Sequence, residues 1–91
     1  MELKWTSKAL SDLGRLFEFL ASVNKGAAVR TLQLITSVPN ALLVNPRIGE
    51  TLEEFEPREV RRILVGQYEM RYEIQKSTIF LLRVWHTRED R

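Results

Sequence analysis

The sequence contains no cysteine, which excludes disulfide bonds and thiolate metal sites and suits a reducing cytoplasm. It also lacks any run near the ~18 consecutive apolar residues that a membrane-spanning helix needs. The stretch "MELKWTSK" has none of the apolar core found in signal peptides. We therefore expect a soluble, cytoplasmic protein with no membrane partner.

Signatures of familiar chemistry are absent as well. The chain has 1 histidine and therefore no histidine pair for zinc. It has no Walker loop, no Gly-rich dinucleotide turn and no serine beside a base. No cluster of carboxylates could hold a metal in their place. The sequence therefore predicts neither a cofactor nor a metal site.

The composition is that of an ordinary globular protein, with 44% hydrophobic and 29% charged residues. A chain of 91 residues can build one modest core, which predicts a single domain over residues 1–91. The net charge of +2 is too small to argue by itself for nucleic-acid binding. Basic residues nevertheless concentrate in the C-terminal third, as Arg58, Arg61, Arg62, Arg71, Arg83, Arg88 and Arg91.

The N-terminal half predicts a strand and two helices. The alternating stretch "ELKWT" predicts a strand over residues 2–6, and Thr6 or Ser7 can cap the helix that follows. Apolar residues at helical spacing extend that helix to about Ser22. Asn24 can cap a second helix, which Pro39 should kink and Pro46 should end. The turn "NPRIGE" and the charged stretch "TLEEFEPRE" are predicted to form a loop.

The C-terminal half predicts three strands with no helix between them, over residues 60–65, 68–74 and 78–85. Their short connections, Gly66-Gln67 and Gln75-Lys76-Ser77, allow only antiparallel pairing. The expected fold is α+β in the order β-α-α-β-β-β, with a two-helix hairpin on one face of a small antiparallel sheet.

The turns set the register of this sheet. A two-residue turn at Gly66-Gln67 sets Val65 opposite Tyr68, Ile63 opposite Met70 and Arg62 opposite Arg71. In the second hairpin, a two-residue loop would set Met70 against Arg83. A three-residue loop instead gathers apolar residues on one face, so burial favours it. Its pairs would be Tyr72 with Phe80, Met70 with Leu82, Tyr68 with Val84 and Glu69 with Arg83.

This register predicts a charged surface on the side away from the helices. The helix-facing side would hold Ile63, Val65, Met70, Tyr72, Phe80, Leu82 and Val84. The other side would bring Glu69 together with Arg62, Arg71 and Arg83, which we call the arginine face. The arginines could bind an acidic or anionic partner. Alternatively, they form an ordinary solvated face, relieved by Glu69, Glu73 and water.

The last strand ends at the edge of both surfaces. His86 continues the inward line and should emerge at the lip of the core, as a packed side chain, a contact or a proton-transfer group. Trp85 should point to the arginine face, where it could stack on a partner or shield the sheet. Arg88 and Arg91 would belong to a frayed tail.

In order along the chain, "KWTSKALSDL", "LLVNPRIG", "REVRRILVGQYEMRYEI" and "IFLLRVWHTRED" resemble the RelE/ParE superfamily of type II toxin–antitoxin toxins. The resemblance covers almost the whole chain. It implies a two-helix hairpin on an antiparallel sheet and a cognate antitoxin that wraps the toxin, burying the exposed flank of the helices or crossing the sheet. It also implies a possible homodimer or a toxin–antitoxin heterotetramer.

The superfamily divides by mechanism. ParE-like members end in a similar His-x-Arg and poison DNA gyrase by protein contact, which implies target binding by Arg62, Arg71, Arg83, Trp85, His86 and Arg88. RelE-like members cut mRNA on the ribosome without a metal, which would make His86 an acid and Arg62, Arg71 and Arg88 phosphate ligands. In that branch an arginine usually follows the tyrosine that matches Tyr68, but here the residue is Glu69. The ParE-like function is therefore favoured, and a third alternative is a related fold that has lost toxicity.

Overall fold

A computed structural model describes residues 1–89 of the chain, so Arg91 of the predicted tail lies outside the described residues. The order of elements and the α+β class are confirmed. The helices are α1 (Ser7–Ala21) and α2 (Lys25–Val44). The strands are β1 (Glu2–Trp5), β2 (Glu50–Thr51), β3 (Glu59–Val65), β4 (Tyr68–Gln75) and β5 (Thr78–His86).

Side-chain caps start both helices. The Thr6 hydroxyl accepts a hydrogen bond from the Ala9 amide at 3.2 Å, and the Asn24 side chain accepts one from Ala27 at 3.0 Å. Each bond satisfies an amide that has no partner inside its helix. The α2 helix continues through Pro39 and ends at Val44, just before Pro46.

By length and composition alone, α2 could cross a membrane, with a mean hydropathy of 1.2. However, its buried residues recur along one face, as expected for a helix that packs on a sheet. They are Ala28, Ile35, Pro39 and Leu42, and both Ile35 and Leu42 belong to the core of the fold. We therefore assign α2 to the protein core.

The sheet has five strands in the order β1-β5-β4-β3-β2. The three C-terminal strands form the expected antiparallel meander. The N-terminal strand β1 pairs in parallel with β5, with Glu2 opposite Thr78 and Trp5 opposite Leu81. The sheet is therefore mixed, because α1 and α2 separate β1 from the meander and return the chain to the opposite edge.

The stretch predicted to be an unstructured loop contains two short elements. Strand β2 pairs Glu50 with Arg62 at the edge of the sheet, and Glu53–Phe55 forms a single 3-10 turn. The Tyr72 hydroxyl donates to the Pro46 carbonyl at 2.7 Å and accepts from the Gly49 amide at 2.9 Å. This buried contact holds the loop against the sheet.

The register of the first hairpin is confirmed, including Arg62 opposite Arg71. Our preferred register of the second hairpin is wrong. Its loop has two residues, Lys76 and Ser77, and a β-bulge lies on β5 between the partners of Arg71 and Tyr72. Leu82 is the extra residue, so Tyr72 pairs with Leu81 and Met70 pairs with Val84.

The bulge changes which side chains of β5 face the helices. Ile79, Leu81 and Val84 are fully buried in the core. Phe80 and Leu82, which we predicted to face the helices, are half-buried and lie outside the core cluster. In the unshifted two-residue register Arg83 would share the side of Ile79 and Leu81, so the bulge keeps a cation out of the apolar core.

Candidate functional site

The predicted binding residues lie on the two opposite sides of the sheet. Arg71 pairs directly with both Arg62 and Arg83, so the three arginines are neighbours on one side, as predicted. Trp85 is two residues beyond Arg83 on the same strand and belongs to that side. His86 pairs with Tyr68, which packs against the core, and therefore lies on the helix side.

Carboxylates within the chain neutralise the arginine face. Arg62 donates to Glu50 at 2.9 Å and to Glu69 at 3.4 Å. Arg71 donates to the other oxygen of Glu69 at 3.0 Å. Glu69 is only 7% exposed. Its cross-strand partner is Trp85, whereas we predicted Arg83. These contacts offset the repulsion expected between Arg62 and Arg71.

The same face carries an aromatic layer. The Arg71 guanidinium lies 4.6 Å from the ring centroid of Trp85, within the range of a cation–π contact. Trp85 is only 6% exposed. The buried indole shields this end of the sheet, and a contact of Trp85 with a partner stays a prediction.

Arg83 is directed toward helix α1. Its guanidinium donates to both oxygens of Asp12, at 2.8 and 3.2 Å, and this hydrogen bonding raises the pKa of Arg83. The Val84 amide donates to the same carboxylate at 2.9 Å. Asp12 thus satisfies a backbone amide of β5 beyond the end of β1, where no neighbouring strand could accept it.

The segment before β3 covers another part of this side of the sheet. Arg58 donates to both oxygens of the buried Glu73, at 3.0 and 2.8 Å. This pairing lowers the pKa of Glu73 and raises that of Arg58. The Phe55 ring lies 5.9 Å from the Arg58 guanidinium and 5.8 Å from that of Arg71.

A cleft of about 590 Å³ opens on the helix side, between α1 and the end of β5, and we call it the α1–β5 cleft. Its apolar wall includes Phe19, which is 68% exposed. The lining residues are Arg15, Leu16, Phe19, Leu20, Gln67, Tyr68, His86, Arg88 and Glu89. An apolar floor with arginines at its margin suits a partner that carries apolar and acidic side chains.

Both ring nitrogens of His86 have partners at the lip of this cleft. Nδ1 accepts a hydrogen bond from the Arg88 amide at 3.1 Å, and Nε2 lies 3.1 Å from the Gln67 side-chain oxygen. The backbone N–H of Arg88 can only donate, so Nδ1 is the acceptor of the ring. Nε2–H then donates a hydrogen bond to the Gln67 oxygen. The ring also packs edge-on against Tyr68, with 5.2 Å between the centroids.

The structure does not assemble the residues that a ribonuclease would use. His86 and Arg88 are at the α1–β5 cleft, whereas Arg62 and Arg71 are on the arginine face, with the sheet between them. A general acid must lie within hydrogen-bond reach of the group that it protonates. Within residues 1–89, no three His, Asp or Glu side chains are grouped to hold a metal ion.

Sequence reasoning missed most of the cleft. Phe19 and Arg15 on α1, together with Gln67 in the first turn, line it beside the predicted His86 and Arg88. The available signal was Phe19, a large apolar residue outside the inward-facing stripe of α1. Gln67 gave no signal, because a polar residue in a two-residue turn is ordinary.

Comparisons with known proteins agree with this architecture. The model of the family described as the ParE toxin of the type II toxin–antitoxin system, parDE, matches residues 3–91. A solved structure, "Chromosomal ParDE TA system from P. aeruginosa", superposes with a TM-score of 0.77 at 22% identity. The match covers 94% of this chain and 95% of that chain, and it supports the fold. The comparison with curated proteins found no match.

Proposed function

Because the chain belongs to the ParE toxin family of type II toxin–antitoxin systems, we propose that it poisons DNA gyrase through a protein–protein contact. A cognate antitoxin would neutralise it, and action on gyrase would place the toxin in the cytoplasm. The observation that carries the proposal is the α1–β5 cleft, with the exposed Phe19 facing a lip formed by His86 and Arg88. Aromatic residues and arginine are the side chains that most often dominate the energy of protein interfaces.

The separation of the candidate residues supports a contact rather than a cleavage reaction. The acid and the phosphate ligands required for RNA cleavage would lie on opposite sides of the sheet. On the arginine face, carboxylates of the same chain already hold the guanidiniums of Arg62, Arg71 and Arg83. We therefore place the main target contact at the α1–β5 cleft, while a contribution from the arginine face and Trp85 stays a prediction.

The test adds purified toxin to gyrase in a DNA supercoiling assay and, separately, to ribosomes programmed with mRNA. We expect inhibited supercoiling, trapped cleaved DNA and intact message. Cuts at codon positions with unaffected gyrase would contradict the proposal and support the RelE-like alternative. No effect in either assay would support a fold that has lost toxicity.

Surface variants locate the contact. We expect Arg88→Glu and Phe19→Asp each to weaken gyrase inhibition by about tenfold or more, as removal of an interface hot spot does. Matched controls are Arg30→Glu and Leu64→Asp, which alter an exposed arginine on α2 and a 60% exposed leucine on β3. Arg71→Ala measures the contribution of the arginine face. Equal losses in all variants would indicate misfolding or a contact elsewhere.

The antitoxin and the assembly can be measured with the same protein. The product of the neighbouring gene should bind the toxin and restore supercoiling in the gyrase assay. Mass measurement of the toxin alone and of the complex would separate a homodimer from a toxin–antitoxin heterotetramer.

A further inference from the structure

The chain turns sharply immediately after β5, and this turn presents Arg88 at the lip of the α1–β5 cleft. The Glu89 amide donates to the His86 carbonyl at 2.9 Å, which closes a turn over residues 86–89. Glu89 then folds back, accepting a hydrogen bond from the His86 amide at 3.0 Å and pairing with Arg15 at 3.0 Å. Arg88 stands at the third position of the turn, with its side chain exposed.

The imidazole of His86 fixes this turn from inside. Its Nδ1 accepts the amide of the residue two positions later, the same bond that an Asn or Asp side chain makes in an Asx-turn. Gln67 lies 3.1 Å from the other ring nitrogen, and Tyr68 packs against the ring in a T-shaped arrangement. The ring is therefore fixed on the first hairpin, and its hydrogen bond to the Arg88 amide is the contact that holds the turn.

We propose that His86 is a positioning residue that holds Arg88 at the lip of the α1–β5 cleft, where the Arg88 guanidinium binds an acidic group of the toxin's target. The identity of the target rests on the proposed function, whereas the positioning rests on the hydrogen bonds of the turn. His86 itself then makes no essential contact with the target, because both of its ring nitrogens are used within the chain.

Two substitutions separate positioning from other roles of the ring. His86→Asn keeps an acceptor that can close an Asx-turn on the Arg88 amide, whereas His86→Gln is one methylene longer and loses that geometry. We expect amide hydrogen exchange at Arg88 to rise by about five- to tenfold in His86→Gln, the factor expected for losing one hydrogen bond, and to stay near the wild-type rate in His86→Asn. Unchanged exchange in His86→Gln would overturn the proposal.

Binding to gyrase provides the second readout, as a double-mutant cycle. We expect Arg88→Ala and His86→Gln each to weaken binding by about tenfold, and the double variant to bind no more weakly than Arg88→Ala alone. His86→Asn should bind within about twofold of the wild type. Losses that multiply to about a hundredfold would show that His86 contacts the target independently and would overturn the proposal.

The two readouts distinguish failure of this inference from failure of the proposed function. If the wild-type toxin does not bind gyrase, the proposed target is wrong, and exchange at Arg88 still decides whether His86 positions the turn. If gyrase binding responds to Arg88→Ala while His86→Gln changes neither exchange nor affinity, the target stands and the positioning role is refuted. Urea denaturation of each variant checks that the fold is intact.

Discussion

At Gly49 the backbone passes so close to Tyr72 that a side chain has no room. A Cβ atom there would lie 2.6 Å from both the Tyr72 hydroxyl and the Arg62 carbonyl oxygen. We predict that Gly49→Ala lowers the free energy of unfolding by about 1–3 kcal/mol, because the loop must move away from the sheet to relieve this overlap. Urea denaturation at neutral pH measures the change.

Gly14 provides the matched control for this substitution. It lies within α1, and an added Cβ would meet no atom within 4 Å. Gly14→Ala should therefore raise the free energy of unfolding by about 0.5–1 kcal/mol, the usual advantage of alanine over glycine in a helix. The opposite signs test the local geometry, and a stabilising Gly49→Ala would show that the loop is not held as described.

Contacts between residues close in sequence could be predicted, whereas contacts between distant residues could not. The cap residues Thr6 and Asn24 could be recognised, because capping depends on residues only three positions away. The ion pair between Asp12 and Arg83 could not, since it joins residues 71 positions apart and depends on how α1 crosses the edge of β5. Asp12 looked like an ordinary polar residue on the outer face of the helix, although it is 5% exposed.

Among the elements, the two hairpins have loops of the same size but different chemistry. The first central residue of each loop has a positive φ, 61° at Gly66 and 55° at Lys76. Glycine is favoured at this position in type II′ hairpin turns, and other residues pay a steric penalty there. We predict that Lys76→Gly stabilises the fold by about 0.5–1 kcal/mol. Glycine relieves the steric penalty at this positive φ, and this relief exceeds the additional conformational entropy that glycine loses on folding.

Ser77 is the control for the second loop, because it lacks a positive φ. Ser77→Gly should lower the free energy of unfolding by about 0.5 kcal/mol, the entropic cost of glycine alone. Thermal denaturation of both variants would compare them with the wild type. Stabilisation by Ser77→Gly and not by Lys76→Gly would contradict the assigned turn.

The β5 strand explains why one register was predictable and the other was not. The first hairpin has a glycine turn and unambiguous alternation, so its pairs followed from the sequence. In β5, Ile79 to Leu82 are four consecutive apolar residues, and either alternate set could face the core. Because of the bulge at Leu82, Ile79 and Leu81 of one set and Val84 of the other all face the core. This arrangement depends on packing against α1, which the sequence of β5 does not contain.

At the scale of the whole molecule, carboxylates paired with arginines connect the sheet to its flanking segments. Arg47 and Arg61 both bind Glu59, and the hydrogen bond from Arg47 is the main cause of its lowered pKa. Arg58 lowers the pKa of Glu73 in the same way. The sequence indicated an arginine-rich sheet, but which carboxylate neutralises each arginine depends on loops whose paths could not be predicted.

These two carboxylates make the fold sensitive to acid. Each has a folded-state pKa below its ordinary value of 4.5, so folding favours the charged form. The contribution of Glu59 and Glu73 to stability is complete above the ordinary pKa and is lost as the pH falls through the lower pKa of the folded state. We predict that the free energy of unfolding is nearly constant above about pH 6 and decreases steadily below about pH 5.

The substitution Glu73→Gln isolates one of these titrations. It removes the charge that Arg58 holds, so the variant should be less stable than the wild type at pH 7 and should lose less stability between about pH 5 and pH 3. Exposed Glu54 lies in the same covering segment, and Glu54→Gln serves as the control that should keep the wild-type slope. Urea denaturation at a series of pH values gives both slopes. A carboxyl group whose pKa is lowered by folding makes the free energy of unfolding fall as the pH decreases. If Glu73→Gln lost as much stability in acid as the wild type, the pairing of Arg58 with Glu73 would not contribute to stability.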